Sequence, residues 1–215
     1  MHLSEGIVTA TVLAGGTTAA AAGLAVGLRQ LKPENVPRVA ILSSTFFVAS
    51  LIHVPLGPVS VHLVLNGING LLLGWAAFPS IFVALTFQML LFQFGGITVL
   101  GLNTLTMAFP AVLVWIIFGR MVGGRSNILA LVGGFLAGSL SVFGGGILIA
   151  FFLFLSGEQF LEAGTVALVA HVPVMFVEGF FTSVCVVFLR KVKPEMLDVK
   201  WHSERPKLAE HGEVL

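Results

Sequence analysis

The sequence predicts an all-α, polytopic membrane helix bundle of about seven transmembrane helices, with the N-terminus outside and the C-terminus cytoplasmic. Composition is the first reason. Of 215 residues, 57% are hydrophobic and only 10% charged, and the mean hydropathy is +1.03, too apolar for a soluble domain. The second is the distribution of charge. Asp, Glu, Lys and Arg are absent from Gly6 to Leu28, from Val39 to Gly119 and from Ser126 to Gly157, and uncharged apolar runs of about 18 residues or more read as membrane helices. The third is sidedness. With the spans numbered in order, all eleven Lys and Arg residues fall on one side, which the positive-inside rule makes cytoplasmic.

The first span is Gly6 to Leu28. Gly15, Ala19, Gly23 and Gly27 recur along it every four residues, a spacing of small side chains that lets helix backbones approach closely. This face is expected to pack against a partner subunit, although Gly and Ala are also simply common in membrane helices. A basic loop with Arg29, Lys32 and Arg38 follows, and Val39 to Val54 returns to the Pro/Gly break at Pro55-Leu56-Gly57-Pro58. The next uncharged stretch should hold three crossings: Val59 to Phe78 ending at Pro79, Ser80 to Phe94, and Thr104 to Gly119, with Gly95-Gly96 opening a loop to Asn103. Two of these are short for the ~20 residues of a full crossing, so they are tilted or one is re-entrant.

Ile128 to Leu155 is the sixth span, and its Gly144-Gly145-Gly146 run predicts a kink or irregular turn. Gly164 to Leu189 is the seventh, after a short loop carrying Glu158 and Glu162. Residues 1–193 thus form one membrane-embedded domain and 194–215 a cytoplasmic tail. The single Cys185 excludes an internal disulfide.

This topology brings histidines to the outer face. The chain opens Met1-His2-Leu3-Ser4-Glu5-Gly6, with neither the basic n-region nor the cleavage site of a secretory signal, so the end is expected to be mature as written. The α-amino group, the His2 backbone nitrogen and the His2 imidazole then lie within one short chelate, and such nitrogen donors suit Ni, Cu, Zn and Co. His62 is the candidate fourth donor; the alternative is that His2 is an ordinary residue at the membrane surface. His53 and His171 also lie toward the outer side, either as ligands or as an interfacial and a bundle histidine respectively. Asn66 and Asn69, at i+4 and i+7 from His62, and Asn103 in the outer loop are amides that need partners inside a membrane. They can orient His62, tie down the loop or bond helix to helix; Gln88 is a further buried polar residue. Glu178 is the one acid within a span. It is read as too deep for the histidines, and as a structural residue or a contact to a partner subunit.

Met1-His2 followed by Glu5-Gly6 resembles the opening of the CbiM/NikM family, the substrate-binding membrane components of energy-coupling-factor transporters for cobalt and nickel. Further segments agree in order along nearly the whole chain: Ser60-x-His62 within Pro58 to Gly74, Gln88, Gly95-Gly96, Leu100-Gly101-x-Asn103, and Pro173 with Glu178-Gly179 and Thr182. Ser4, Val61, Leu63 and Phe94 depart from the pattern; the first three leave the ligands intact, and Phe94 bears on the loop over the site. The resemblance implies a substrate metal, Ni2+ or Co2+, bound by the Met1 amine, the His2 amide nitrogen and the imidazoles of His2 and His62, with Ser60, Asn66, Asn103 and His53 around them. It implies no cofactor and no catalytic activity. The expected partners are a transmembrane coupling subunit, cytoplasmic ATPase subunits and, in some assemblies, a small accessory membrane protein. Lipid of a prokaryotic inner membrane surrounds the chain, and nucleic acid is not expected.

No P-loop motif occurs in the chain, so energy for active transport must come from another subunit. A stand-alone channel or secondary carrier, with Glu178 coupling protons, is the main alternative. A membrane zinc enzyme is disfavoured because no His-Glu-x-x-His occurs. A structural membrane protein without ligand leaves the outer histidines unexplained.

Overall fold

Chain breaks set the architecture. The computed structural model describes residues 2–51, 53–56 and 59–197. In order, it contains β1 (His2–Leu3), α1 (Ala10–Gln30), α2 (Val36–Ala49), β2 (His53–Leu56), β3 (Val59–His62), α3 (Asn66–Leu73), α4 (Ala77–Phe92), α5 (Leu100–Val122), α6 (Asn127–Ser156) and α7 (Leu161–Val192). By length and composition alone, five of its helical stretches suffice to cross a membrane: α1, the α3–α4 stretch Asn66–Phe92, which folds back on itself part-way, α5, α6 and α7.

The expected set of about seven helices differs from this between residues 36 and 92. At 14 residues, α2 is shorter than a full crossing needs. The expected helix from Val59 to Phe78 is instead a strand, a left-handed residue and a short helix. Leu65 has φ 53°, a conformation that ends regular structure for a residue with a Cβ, and α3 then runs only eight residues. A 3-10 turn at Gly74–Ala76, opened by Gly74 at φ 54°, reverses the chain. Ser80 Oγ donates to Asn69 Oδ1 at 3.3 Å across the reversal, so α3 and α4 lie antiparallel. Pro79, expected to make this turn, sits in the first turn of α4, where a proline is tolerated. At the expected Pro55–Pro58 break, Pro55 and Leu56 belong to β2 and pair with Ser60 and Val59 of β3, while Gly57 and Pro58 lie outside the described residues.

No irregular turn interrupts the helix at Gly144–Gly146, because α6 runs continuously from Asn127 to Ser156. Its glycines admit neighbours instead. A Cβ on Gly144 would lie 3.2 Å from Pro110, and one on Gly138 only 2.5 Å from the Glu178 carbonyl oxygen. Such close approach is how membrane helices pack without a hydrophobic drive between them.

Helix directions place like ends together. One end carries the three strands, the loop after α4 and the Thr9–Ser156 contact between the starts of α1 and the end of α6. The opposite end carries all eight described Lys and Arg residues. There Arg190 donates to the carbonyls of Val122 and Gly124 at 2.7 Å each, capping the end of α5, and Arg38 donates to the Met196 carbonyl. For these eight residues the clustering at one end read from the sequence is a property of the folded chain; Lys200, Arg205 and Lys207 lie outside the described residues.

Candidate metal centre

A three-stranded sheet, ordered β1-β3-β2, builds the site. Its register sets His2 opposite Ser60 and His53 opposite His62. A two-residue strand cannot hold itself, and Asn103 at the start of α5 supplies the missing hold. Leu3 N donates to Asn103 Oδ1 at 2.8 Å and Asn103 Nδ2 donates to Leu3 O at 3.1 Å, so one amide side chain acts as a further strand against β1. Gly95, at φ 77°, lets the loop after α4 lie close. A Cβ there would meet Asn103 Nδ2 at 2.9 Å. Glu5 pins the same loop farther along, its Oε1 accepting from Thr98 N at 3.0 Å and from Thr98 Oγ1 at 3.1 Å.

The buried imidazoles of His2 and His62 meet with ring centroids 4.7 Å apart. Each ring is oriented by an acceptor on its far side. His62 Nδ1 lies 2.8 Å from the Leu63 carbonyl oxygen; a carbonyl only accepts, so the proton of the neutral ring is on Nδ1. His2 Nε2 lies 2.8 Å from Gln88 Oε1. Gln88 cannot turn its amine toward His2, because that amine donates to Ser50 Oγ. Ser50 in turn spends its own proton on the Phe47 carbonyl at 2.9 Å. The His2 proton is thus on Nε2. What remains is His2 Nδ1 and His62 Nε2, two lone-pair nitrogens facing each other at 2.9 Å. Burial pushes the His62 imidazole well below its ordinary pKa, and the nearby His2 adds to that; protonation is thereby disfavoured and a neutral, ligating ring favoured. Among the described residues no third His, Cys, Asp or Glu joins the pair.

The structure sorts the residues expected at the site. His2 and His62 come together, and Asn103 holds the residue after His2. Met1 lies outside the described residues, and His53 and Ser60 are placed by strand register alone. Asn66 and Asn69 do not share a helical face with His62, because His62 ends a strand and the helix begins at Asn66. Asn69 bonds Leu65 O and Ser80 Oγ at 3.3 Å each. His171 is buried in α7 with Nδ1 2.6 Å from its own helix carbonyl at Ala167; it is near enough to His62 to interact with it electrostatically but makes no hydrogen bond to either ring of the pair.

Two expectations need correction. The small-residue face of α1 does not stay on one surface. Gly23 and Gly27 are buried against Phe78 and Trp75, while Gly15 and Ala19 are exposed. A repeat of four on a helix of 3.6 residues per turn drifts by about 40° at each step, which turns the stripe inward. Glu178 is not remote from the histidine loop: its Oε1 accepts from the amides of Val64 and Leu65, the latter at 2.7 Å. The chain reaches down to it because β3 and the turn at Leu65 enter the bundle before α3 starts. The residues undervalued in sequence were Gln88 and Ser50. Each is a polar residue flanked by apolar neighbours at the sheet end of its helix, a signal of burial that does not name its partner.

Residues 2–196 match the profile of a family described as CbiM, the cobalt uptake substrate-specific transmembrane region. The chain belongs to that family. It is also similar to a putative metal transport protein of Haemophilus influenzae, 42% identical over 200 residues that cover 92% of this chain and 97% of that one. A fused nickel transport protein, NikMN, of Rhodobacter capsulatus is 42% identical over 82 residues, 37% of this chain and 24% of that protein. A crystal structure of a transition metal transporter superimposes with a TM-score of 0.73 at 26% identity, covering 94% of this chain and 97% of that one. The family and the apolar helices make this a multi-pass membrane component of cobalt or nickel transport.

Proposed function

We propose that this chain is the substrate-capturing membrane component of an energy-coupling-factor importer for Ni2+ or Co2+. One observation carries the reading: His2 Nδ1 and His62 Nε2 face each other as lone pairs at 2.9 Å, an arrangement that repels unless a cation or a shared proton lies between. Two donors at ~2.0 Å from one cation and 2.9 Å from each other subtend ~90°, the angle of a square-planar or octahedral site, whereas tetrahedral Zn2+ would spread them to ~3.3 Å.

Two nitrogens do not complete such a site. The His2 amide nitrogen and the Met1 amine are the donors that chain connectivity puts within reach of His2 Nδ1, and four nitrogens in a plane suit Ni(II). In this reading the sheet end faces outward and the basic end the cytoplasm of a prokaryotic inner membrane, in keeping with the positive-inside rule. A transmembrane coupling subunit and cytoplasmic ATPases would supply the energy.

The experiment is to measure Ni2+ and Co2+ affinity for the native end, for a chain extended by one Ala before Met1, and for His2→Ala. Extension turns the amine into an amide and displaces it while keeping both histidines. The extended protein should bind at least ~100-fold more weakly, beyond the 10–100-fold that loss of an outer partner costs. Equal affinity for native and extended chains, with loss only in His2→Ala, would show that the amine has no part in the site.

A further inference from the structure

Glu178 is a buried carboxylate that the capture of metal, as described above, does not use. Its Oε1 accepts from the Val64 and Leu65 amides. Val64 N belongs to the same peptide unit as the Leu63 carbonyl, and that carbonyl accepts from His62 Nδ1 at 2.8 Å. The chain of contacts is therefore continuous: His62 Nδ1–H to Leu63 O, through the peptide to Val64 N–H, to Glu178 Oε1. We infer that Glu178 is a positioning residue of the metal site, acting on His62 through the Leu63–Val64 peptide; the inference rests on His62 being a ligand.

The physical basis is the outer carboxylate of many metal sites. A metal-bound imidazole commonly donates its other N–H to a carboxylate or carbonyl, which fixes the ring and raises its basicity. Here the carbonyl is one end of a peptide whose other end is held by a carboxylate. When Glu178 is ionised, negative charge near the Val64 N–H polarises the peptide and strengthens Leu63 O as an acceptor, and hydrogen bonds in such a chain reinforce one another in a low dielectric. His62 Nδ1–H is drawn toward Leu63 O, and Nε2 becomes the better donor to a metal. The geometry of the turn suits this role. The turn before α3 presents two successive amides, those of Val64 and Leu65, to one oxygen, and the carboxylate sits at the N-terminal end of α3, where negative charge is favoured.

The arrangement also explains an acid placed where no basic side chain reaches it. Glu178 is fully buried, and its Oε2 has no partner among the described residues. A carboxylate needed only to fill space would be replaced at lower cost by an amide or an apolar residue. A charge needed to act along the peptide could not be.

The test is Glu178→Gln in the full chain, with Ni2+ as the probe. Gln keeps an oxygen for both amides and removes the charge. The variant should melt as the native protein does, bind Ni2+ about tenfold more weakly, and shift the Ni(II) ligand-field absorption to longer wavelength, because a less basic imidazole is a weaker donor. Thr182→Val, one turn along α7 and equally buried, should change neither affinity nor spectrum. If Glu178→Gln binds and absorbs like the native protein, or if Thr182→Val reproduces its effect, the relay is wrong. If the native protein itself binds no Ni2+, the capture reading falls and the relay with it. If Glu178→Gln does not fold, an ester in place of the Leu63–Val64 amide removes the Val64 N–H while leaving Glu178 in place. It should weaken Ni2+ binding to a similar degree, and unchanged affinity would overturn the proposal.

Discussion

Two buried histidines, His62 and His171, start from the same local bond and end with different chemistry. Each places Nδ1 on a backbone carbonyl, Leu63 O at 2.8 Å and Ala167 O at 2.6 Å. Each then has one nitrogen left. His62 stands at the end of a strand, where the sheet register and the Asn103 clamp bring a second chain segment against it, and its Nε2 meets His2 Nδ1. His171 stands in the middle of α7 against Gly146, and its Nε2 has no partner among the described residues. The difference teaches that burial and a fixed tautomer do not make a ligand. A second donor must be delivered to the remaining lone pair, and here a strand end delivers it where a helix interior does not.

Replacing each histidine is the hardest test of that contrast. His62→Ala should reduce Ni2+ and Co2+ affinity by more than ~100-fold, since it removes a donor rather than an outer partner. His171→Leu should leave affinity unchanged and move the melting temperature by only a few degrees, because it removes a group that already lacks a partner. Titration calorimetry on both variants decides it; equal losses would erase the distinction.

A smaller effect is expected one shell out. Gln88→Leu removes the acceptor that keeps the His2 proton on Nε2. Affinity should fall about 10- to 100-fold, while Ser50, which keeps its bond to Phe47 O, holds the end of α2 as before. Metal affinity within a factor of two of the native value would mean that the tautomer of His2 is set some other way.

The pH profile tests the donors beyond the two histidines. Burial holds the His62 pKa well below 6.5, so falling pH does not protonate that ring until well under this value, and a site made of the two imidazoles alone should have nearly constant affinity from about pH 6.5 to 8. Ligation by the Met1 amine, with an ordinary pKa of about 7.7–8.0, and by an amide nitrogen releases protons throughout that window, so affinity should climb about tenfold or more per pH unit. A flat profile would count against the amine and leave the histidine contrast intact.

Much of this was legible without coordinates. The membrane class, the clustering of every described cation at one end, and the breaks near Pro55–Pro58 and Gly95–Gly96 follow from local chemistry. Charges avoid apolar runs, and Pro and Gly interrupt regular backbone. The errors were also local in origin. Leu65 gives no warning of its left-handed backbone, so residues 59–78 read as one helix and Asn66 was assigned to the face of His62. The glycine triplet in α6 read as a kink or irregular turn because its neighbours, Pro110 and His171, lie on other helices.

What the sequence by itself determined is the set of candidate donors and the end of the bundle they occupy, because periodicity and charge act within a segment. Which donors meet was decided only by tertiary structure. Gln88 stands 86 positions from His2, Asn103 stands 100 from Leu3, and Glu178 stands 114 from Val64. No rule of spacing links such residues. They are joined because the sheet, the reversal at Gly74 and the close packing of α6 on α7 bring them within hydrogen-bond distance, and a hydrogen bond acts over about 3 Å of space and not along the chain.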